Sequence, residues 1–169
     1  MAVNYSSMIN RSFDGRVIFD HLPKTAGMAV NAWLRSTFGT GVVTDTLMGI
    51  HEELIRRYGG EYSIISGHMG YIGVGKDPRY SYVTSLREPV DRIVSWLFFM
   101  ISNHRPDELS GLHEAVTRFI DSEGDSCDEY LFGHLVNPYV EHFCAFDLQP
   151  TKTDAERVER ALSVLERYD

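Results

Sequence analysis

The stretch Arg16–Leu34, RVIFDHLPKTAGMAVNAWL, constrains this chain more than any other part of it. Val17-Ile18-Phe19 is a short apolar run that reads as a strand. Pro23-Lys24-Thr25-Ala26-Gly27 reads as a tight turn, and Val30, Trp33 and Leu34 then fall at helical spacing. A strand feeding a lysine-bearing loop and a helix is a specific local architecture. The start of a helix offers unpaired backbone N–H groups and the positive end of a dipole. A lysine in the loop adds a full charge. The stretch therefore predicts an anion site for a phosphorylated ligand.

The rest of the chain alternates in the same way. A first strand is expected over Arg16–His21 and a first helix over Gly27–Phe38, stopped by Gly39 and Gly41. Val42-Val43 is a short apolar piece. Leu47, Ile50 and Leu54 predict a helix over Leu47–Tyr58. Tyr62–Ser66 predicts a second strand, followed by a glycine-rich loop over Gly67–Arg79. Tyr80–Leu86 predicts a third strand. Pro89 opens a helix in which Val90, Ile93, Val94, Leu97, Phe98 and Ile101 alternate at spacings of three and four, reaching about Asn103.

The second half reads as helices over Ser110–Ile120, Glu129–Leu135 and Pro138–Phe146. A last helix, Asp154–Tyr168, opens with a Thr153/Glu156 capping box. Strands alternating with helices predict an α/β fold, a parallel sheet flanked by helices with a mostly helical C-terminal half. Ligands of such sheets bind beyond the carboxyl ends of the strands. Here those ends are His21–Gly27, the stretch from Gly67 onward, and Leu86–Pro89.

Composition narrows the classes. With 43% apolar residues the chain can bury a core, and 169 residues suffice for one compact domain. No repeat or low-complexity linker divides it, so a single domain over residues 1–169 is expected, with Met1–Gly15 a polar lead-in. Sixteen basic against 24 acidic residues give a net charge of −8. That excludes a broad basic field for nucleic acid, and any polyanion must be gripped locally. No apolar run approaches the roughly 20 residues of a membrane span. The N-terminus lacks an apolar signal core. A cytoplasmic protein is expected, with Cys127 and Cys144 as thiols in a reducing compartment.

The lysine loop is not the standard phosphate loop, G-x-x-x-x-G-K-[ST]. In LPKTAGMA the lysine precedes the glycine, and no Ser or Thr follows a Gly-Lys pair to hold magnesium. The loop alone is equally readable as an ordinary turn with a surface lysine. A second stretch, SYVTSLREPVDRIVSWLFF, changes the balance. Arg87 stands at a strand's carboxyl end, and Ser95 lies two turns into the next helix. An arginine fork and a hydroxyl together can hold a phosphate. Taken singly, Arg87 can instead pair with Glu88 or Asp91, and Ser95 can be a small helix-contact residue.

HLPKTAG at His21–Gly27 with LREPVDRIVSW at Leu86–Trp96 resembles the sulfotransferases that use 3′-phosphoadenosine 5′-phosphosulfate. The nearest group is the carbohydrate O-sulfotransferases, which include the heparan sulfate 2-O- and 6-O-enzymes and bacterial members. The resemblance runs in order from Arg16 to about Phe146. It implies a nucleotide-kinase-like sheet and transfer of a sulfuryl group to an acceptor hydroxyl, on a sugar or small molecule.

The resemblance assigns Lys24, Thr25, Ala26, Gly27, Met28 and Ala29 to the 5′-phosphosulfate, and Arg87 and Ser95 to the 3′-phosphate. Lys24 is also expected to act on the leaving group, and Arg92 to be structural. No metal is expected, and 3′-phosphoadenosine 5′-phosphate is the expected product. Met28 and Ala29 depart from the family, which carries Ser or Thr there. A lost hydrogen bond to a charged group costs about 1.5–3 kcal/mol, or roughly tenfold to a hundredfold in affinity.

Transfer to a hydroxyl needs a base. His68, in Ser66-Gly67-His68 at the sheet's carboxyl edge, is the candidate, because histidine as a residue type titrates near neutrality. His51 with Glu52, and His21, stand in reserve. His104, His113, His134 and His142 read as structural. Asn137 is open between a ligand contact and a helix cap. Trp96, Phe98 and Phe99 read as core, one of them bordering the adenine.

Two alternatives stay open: a non-catalytic protein of this fold that binds the cofactor, its product or another chain, and a nucleotide or small-molecule kinase. The resemblance implies a further strand and helices after a helix like Asp154–Tyr168, whereas the chain stops at Asp169. It is thus either a compact version or a fragment, and a fragment would expose a sheet edge able to pair with a second copy.

Overall fold

The structure, a computed structural model, describes residues 15–73, 75–102, 110–146 and 151–169. The lead-in up to residue 14, Asn103, His104 and Val74 of the glycine-rich stretch lie outside the described residues. Four strands form one sheet, β1 (Val17–Asp20), β2 (Leu47–Ile50), β3 (Ile64–Gly70) and β4 (Ser81–Val83). All pairs are parallel and the order is β2-β3-β1-β4. The helices are α1 (Gly27–Phe38), α2 (His51–Tyr58), α3 (Pro89–Ser102), α4 (Ser110–Asp121), α5 (Glu129–Leu135), α6 (Pro138–Ala145) and α7 (Asp154–Leu165). The chain is α/β, with helices flanking a four-stranded parallel sheet and a helical C-terminal half.

Two compact units make up the chain, Met1–Leu86 with Tyr139–Asp169, and Arg87–Pro138. The first holds the sheet. Its central strands are apolar on both faces, as a covered parallel sheet requires. Ile18, Ile65 and Tyr82 from the sheet pack with Phe143 of α6, Phe146 and Val164 of α7, all buried. Asn31, buried on α1, bonds Thr46 just ahead of β2. The expected capping box opens α7, with Thr153 and Glu156 exchanging bonds. The second unit packs Leu97 and Met100 of α3 against Leu112 and Val116 of α4 and Leu131 of α5. No helix among the described residues is long and apolar enough to cross a membrane.

Four expectations change. Leu47–Ile50 is a strand, and the helix begins only at His51. Apolar residues three and four apart fit a helix, but Leu47 and Ile50 also flank a four-residue edge strand. The strand expected over Tyr62–Ser66 starts at Ile64 and runs through Gly70, absorbing the first third of the glycine-rich loop. Gly67 allows this, because a Cβ there would lie 2.3 Å from the Leu47 carbonyl oxygen on the neighbouring strand. The strand expected over Tyr80–Leu86 covers only Ser81–Val83, so Arg87 lies four residues past its end. The fourth change is in α3. Phe98 is 62% and Phe99 41% exposed, and Val90 and Val94 are exposed too. The core of the second unit takes Leu97 and Met100, with Ile93 and Trp96 packed at its edge.

Candidate functional site

The lysine loop begins where β1 ends. The His21 amide continues the ladder by one bond to the Gly67 carbonyl, 3.1 Å. The chain then turns through two non-glycine residues in the left-handed region, Lys24 at φ 70° and Ala26 at φ 66°. Each such residue costs about 1–2 kcal/mol, so the surrounding structure must enforce the turn. Thr25 does part of this. It is buried, its hydroxyl donates to the Leu22 carbonyl at 2.8 Å and lies 3.1 Å from the Ser85 hydroxyl beyond β4. Its oxygen is thereby committed to the protein.

Ala26 caps α1. Its carbonyl accepts from the amides of Ala29 and Val30, at 3.0 and 3.1 Å. The amides of Gly27 and Met28 are among the orphan donors of a helix start. Left-handed residues in a turn of this kind bring successive amides into an anion-binding concavity. Met28 is 76% exposed and Ala29 is exposed as well. Lys24, Thr25, Ala26, Gly27 and Met28 thus follow one another around one surface at the carboxyl end of β1, whereas the Ala29 amide, expected as a further donor, is spent on the Ala26 carbonyl.

His68 adjoins this surface from β3. It sits inside the strand, opposite Met48 of β2, and not in a loop after it. Its Nδ1 is 2.6 Å from the His21 carbonyl oxygen. A carbonyl only accepts, so Nδ1 carries a proton, and in the neutral ring Nε2 is then the nitrogen with the lone pair. The His21 ring lies beside it, 4.5 Å between centroids, and stacks on Phe19 at 4.8 Å. Burial, and then the charge of His68, push the His21 pKa down to about 4. His21 is therefore neutral near pH 7.

Behind the loop lies a buried polar cluster. Asp20, the last residue of β1, is fully buried. Its Oδ2 accepts from the Tyr71 hydroxyl at 2.9 Å, the Tyr168 hydroxyl at 2.8 Å and His142 Nε2 at 2.8 Å. Burial, followed by the Asp20 charge, drives both tyrosine pKa values up, so both remain donors. His51, at the head of α2, bonds the Tyr82 hydroxyl through Nε2, and burial lowers its pKa. This cluster was not readable from motifs, because its members are far apart in sequence. The one signal was an aspartate closing an apolar strand.

Arg87, Arg92 and Ser95 belong to the second unit. Arg87 is exposed ahead of α3, Ser95 is half-buried on it, and Arg92 is buried. Glu88 caps α3. Its Oε2 accepts from the Asp91 amide at 2.7 Å, and its carbonyl from the Arg92 amide. Asn137, at φ 45°, directly precedes α6. Cys127 and Cys144 are free thiols. No family model, no curated protein and no solved structure matches the chain, and its functional reading rests on the chemistry of its own residues.

Proposed function

We propose that the protein is a sulfotransferase that moves a sulfuryl group from 3′-phosphoadenosine 5′-phosphosulfate to an acceptor hydroxyl on a sugar or small molecule. One observation carries the reading. Lys24 and Ala26 are held in the left-handed region, against their intrinsic preference, at the start of α1. Backbone strain of this kind persists where the surroundings over-determine it, and it clusters at ligand clamps. The order Pro-Lys-Thr-Ala-Gly and the companion LREPVDRIVSW stretch give the ligand its proposed identity.

The donor set fits an anionic 5′ end, because helix-start amides and a lysine face developing charge well. When bound, the cofactor supplies a sulfuryl group on a phosphate leaving group. In this reading the loop amides hold that end, and Lys24 balances the charge that builds as the sulfur–oxygen bond breaks. Arg87 and Ser95 take the 3′-phosphate and set this cofactor apart from ATP. His68 accepts the acceptor's hydroxyl proton at Nε2, the ring nitrogen left with its lone pair.

A second reading is a protein of the same fold that binds the cofactor or its product without turnover. The exposed, hydroxyl-free Met28 on the first turn of α1 favours it. Sulfate transfer to a panel of sugar and small-molecule hydroxyls, in wild type and His68→Ala, tests both readings. The transferase reading expects turnover in wild type and a loss of at least a hundredfold in the variant, within the usual range for a general base. Full activity in the variant removes His68 as base, and no turnover in either protein favours the second reading.

A further inference from the structure

We propose that His21 is a positioning residue that holds the His68 imidazole in one tautomer and ties it to the first turn of α1. Its catalytic meaning rests on the sulfotransferase reading.

Two parts of His21 act on His68. Its carbonyl accepts the Nδ1 proton at 2.6 Å, which makes Nε2 the lone-pair nitrogen of the neutral ring. A hydrogen bond at one ring nitrogen decides what the other can do. Its ring fills the space beside the His68 ring, with centroids 4.5 Å apart, and is backed by Phe19. The first turn of α1 also packs directly on the His21 ring. A Cβ at Gly27 would lie 1.7 Å from its Cδ2 and 2.1 Å from its Nε2. Position 27 must be glycine for the ring to sit there, whatever the loop's own conformational needs. Phe19, His21, Gly27 and His68 are therefore one packed series, running from β1 through the helix start to β3.

The chemistry of the His21 ring is consistent with a role through shape. Neither of its nitrogens makes a hydrogen bond of good geometry among the described residues, only a weak approach to the Phe19 backbone, although the residue is 1% exposed. Such unpaired buried atoms cost stability and call for an explanation. The depressed pKa keeps His21 neutral, so a proton accepted by His68 meets no second imidazolium beside it. An aromatic ring without nitrogens should therefore preserve the arrangement, and loss of the ring should not.

The test is long-range ¹H–¹⁵N correlation of the ¹⁵N-histidine-labelled full chain, with no cofactor present. In wild type His68 is expected with Nδ1 protonated and Nε2 bare. His21→Phe should retain that signature. His21→Ala and Gly27→Ala should lose it, giving a mixture of tautomers or the Nε2–H form. Wild-type His68 in the Nε2–H form overturns the proposal, and so does an unchanged His68 signature in a folded His21→Ala. Should the alanine variants not fold, wild type and His21→Phe decide alone, and the proposal stands only if both show Nδ1–H. A purely structural His21 would not move the tautomer. Cofactor binding plays no part in this measurement, so failure here and failure of the sulfotransferase reading are separately visible.

Discussion

The hydroxyl of Tyr168 donates to Oδ2 of Asp20 at 2.8 Å, across a sequence separation of 148 residues. Asp20 ends β1, immediately ahead of the lysine loop, so the last residues of the chain brace the loop from behind. The neighbouring Asp169 adds to this, its amide donating to the Tyr82 carbonyl at 2.7 Å. Tyr168→Phe keeps the ring and removes one of three donors to Asp20. The expected cost is about 1.5–3 kcal/mol in urea unfolding, the scale of one buried hydrogen bond to a charged group. Tyr71→Phe removes a second donor to the same oxygen. The double variant should depart from additivity by about 0.5 kcal/mol or more, because the two share a partner. An unchanged midpoint in Tyr168→Phe contradicts this bracing.

Gly67 sets how closely β2 can approach β3. A Cβ there meets the Leu47 backbone oxygen at 2.3 Å, and backbone cannot rotate away as a side chain can. Gly67→Ala should destabilise by about 2–3 kcal/mol, the upper part of the overpacking range. Gly60 is the control, since a Cβ there meets nothing within 4 Å. Gly60→Ala should stay within about 0.5 kcal/mol of wild type. Equal effects of the two substitutions would contradict the close β2–β3 contact.

Acid should weaken the fold well above the carboxylate range. Burial lowers the pKa of both His21 and His51 in the folded chain, His21 to about 4. The unfolded chain binds a proton at each ring near 6.5, and the folded chain does not. Stability is therefore whole above about pH 6.5 and falls as the pH drops toward 4. For His21 alone the full loss is about 3 kcal/mol, from 1.36 kcal/mol per pKa unit. Asp77, held low by Arg79, and Asp169, held low by Ser81 and the Tyr82 amide, add their losses only below about 3.8. Urea midpoints at pH 7.5 and 5.0 should differ clearly, and coincident midpoints would contradict the neutral, buried state of both rings.

Ala26 carries strain that glycine would not. At φ 66° and ψ 15° it occupies the left-handed region. Glycine tolerates that region but loses more entropy on folding, so the net gain from Ala26→Gly is roughly 0.5–1 kcal/mol. Calorimetric melting should show a raised midpoint. A lowered midpoint would mean that the turn is not strained at this residue.

Local signals carried far in this sequence. The first helix is found at Gly27–Phe38 as expected, Glu129–Leu135 likewise, and the Thr153/Glu156 box opens α7. Each of these depends on a cap, a glycine stop or a periodic face within a few residues. β2 was hidden because Leu47 and Ile50 fit a helical face as well as a strand, and the strand runs straight into α2. The glycines of GHMG read as loop punctuation, whereas Gly67 is there to admit a neighbouring backbone. The lysine loop was legible as a tight turn between β1 and α1, though not its two left-handed residues, Lys24 and Ala26. The Asp20–Tyr71–Tyr168–His142 cluster was not, since only the fold brings those residues together. Nor could the sequence tell that His68 lies within a strand, with Nδ1 held by the His21 carbonyl.

The central claim is that the lysine loop and the Arg87–Ser95 stretch recognise 3′-phosphoadenosine 5′-phosphate in preference to ATP. Calorimetric titration of the wild-type chain with each nucleotide tests it most directly, beside Lys24→Ala and Arg87→Ala. Removing one charged hydrogen-bond donor should weaken binding of the 3′-phosphorylated nucleotide roughly tenfold to a hundredfold in either variant. Arg87→Ala should leave the weaker ATP binding unchanged. Preference for ATP, or 3′-phosphoadenosine 5′-phosphate affinity indifferent to Arg87, would contradict the account.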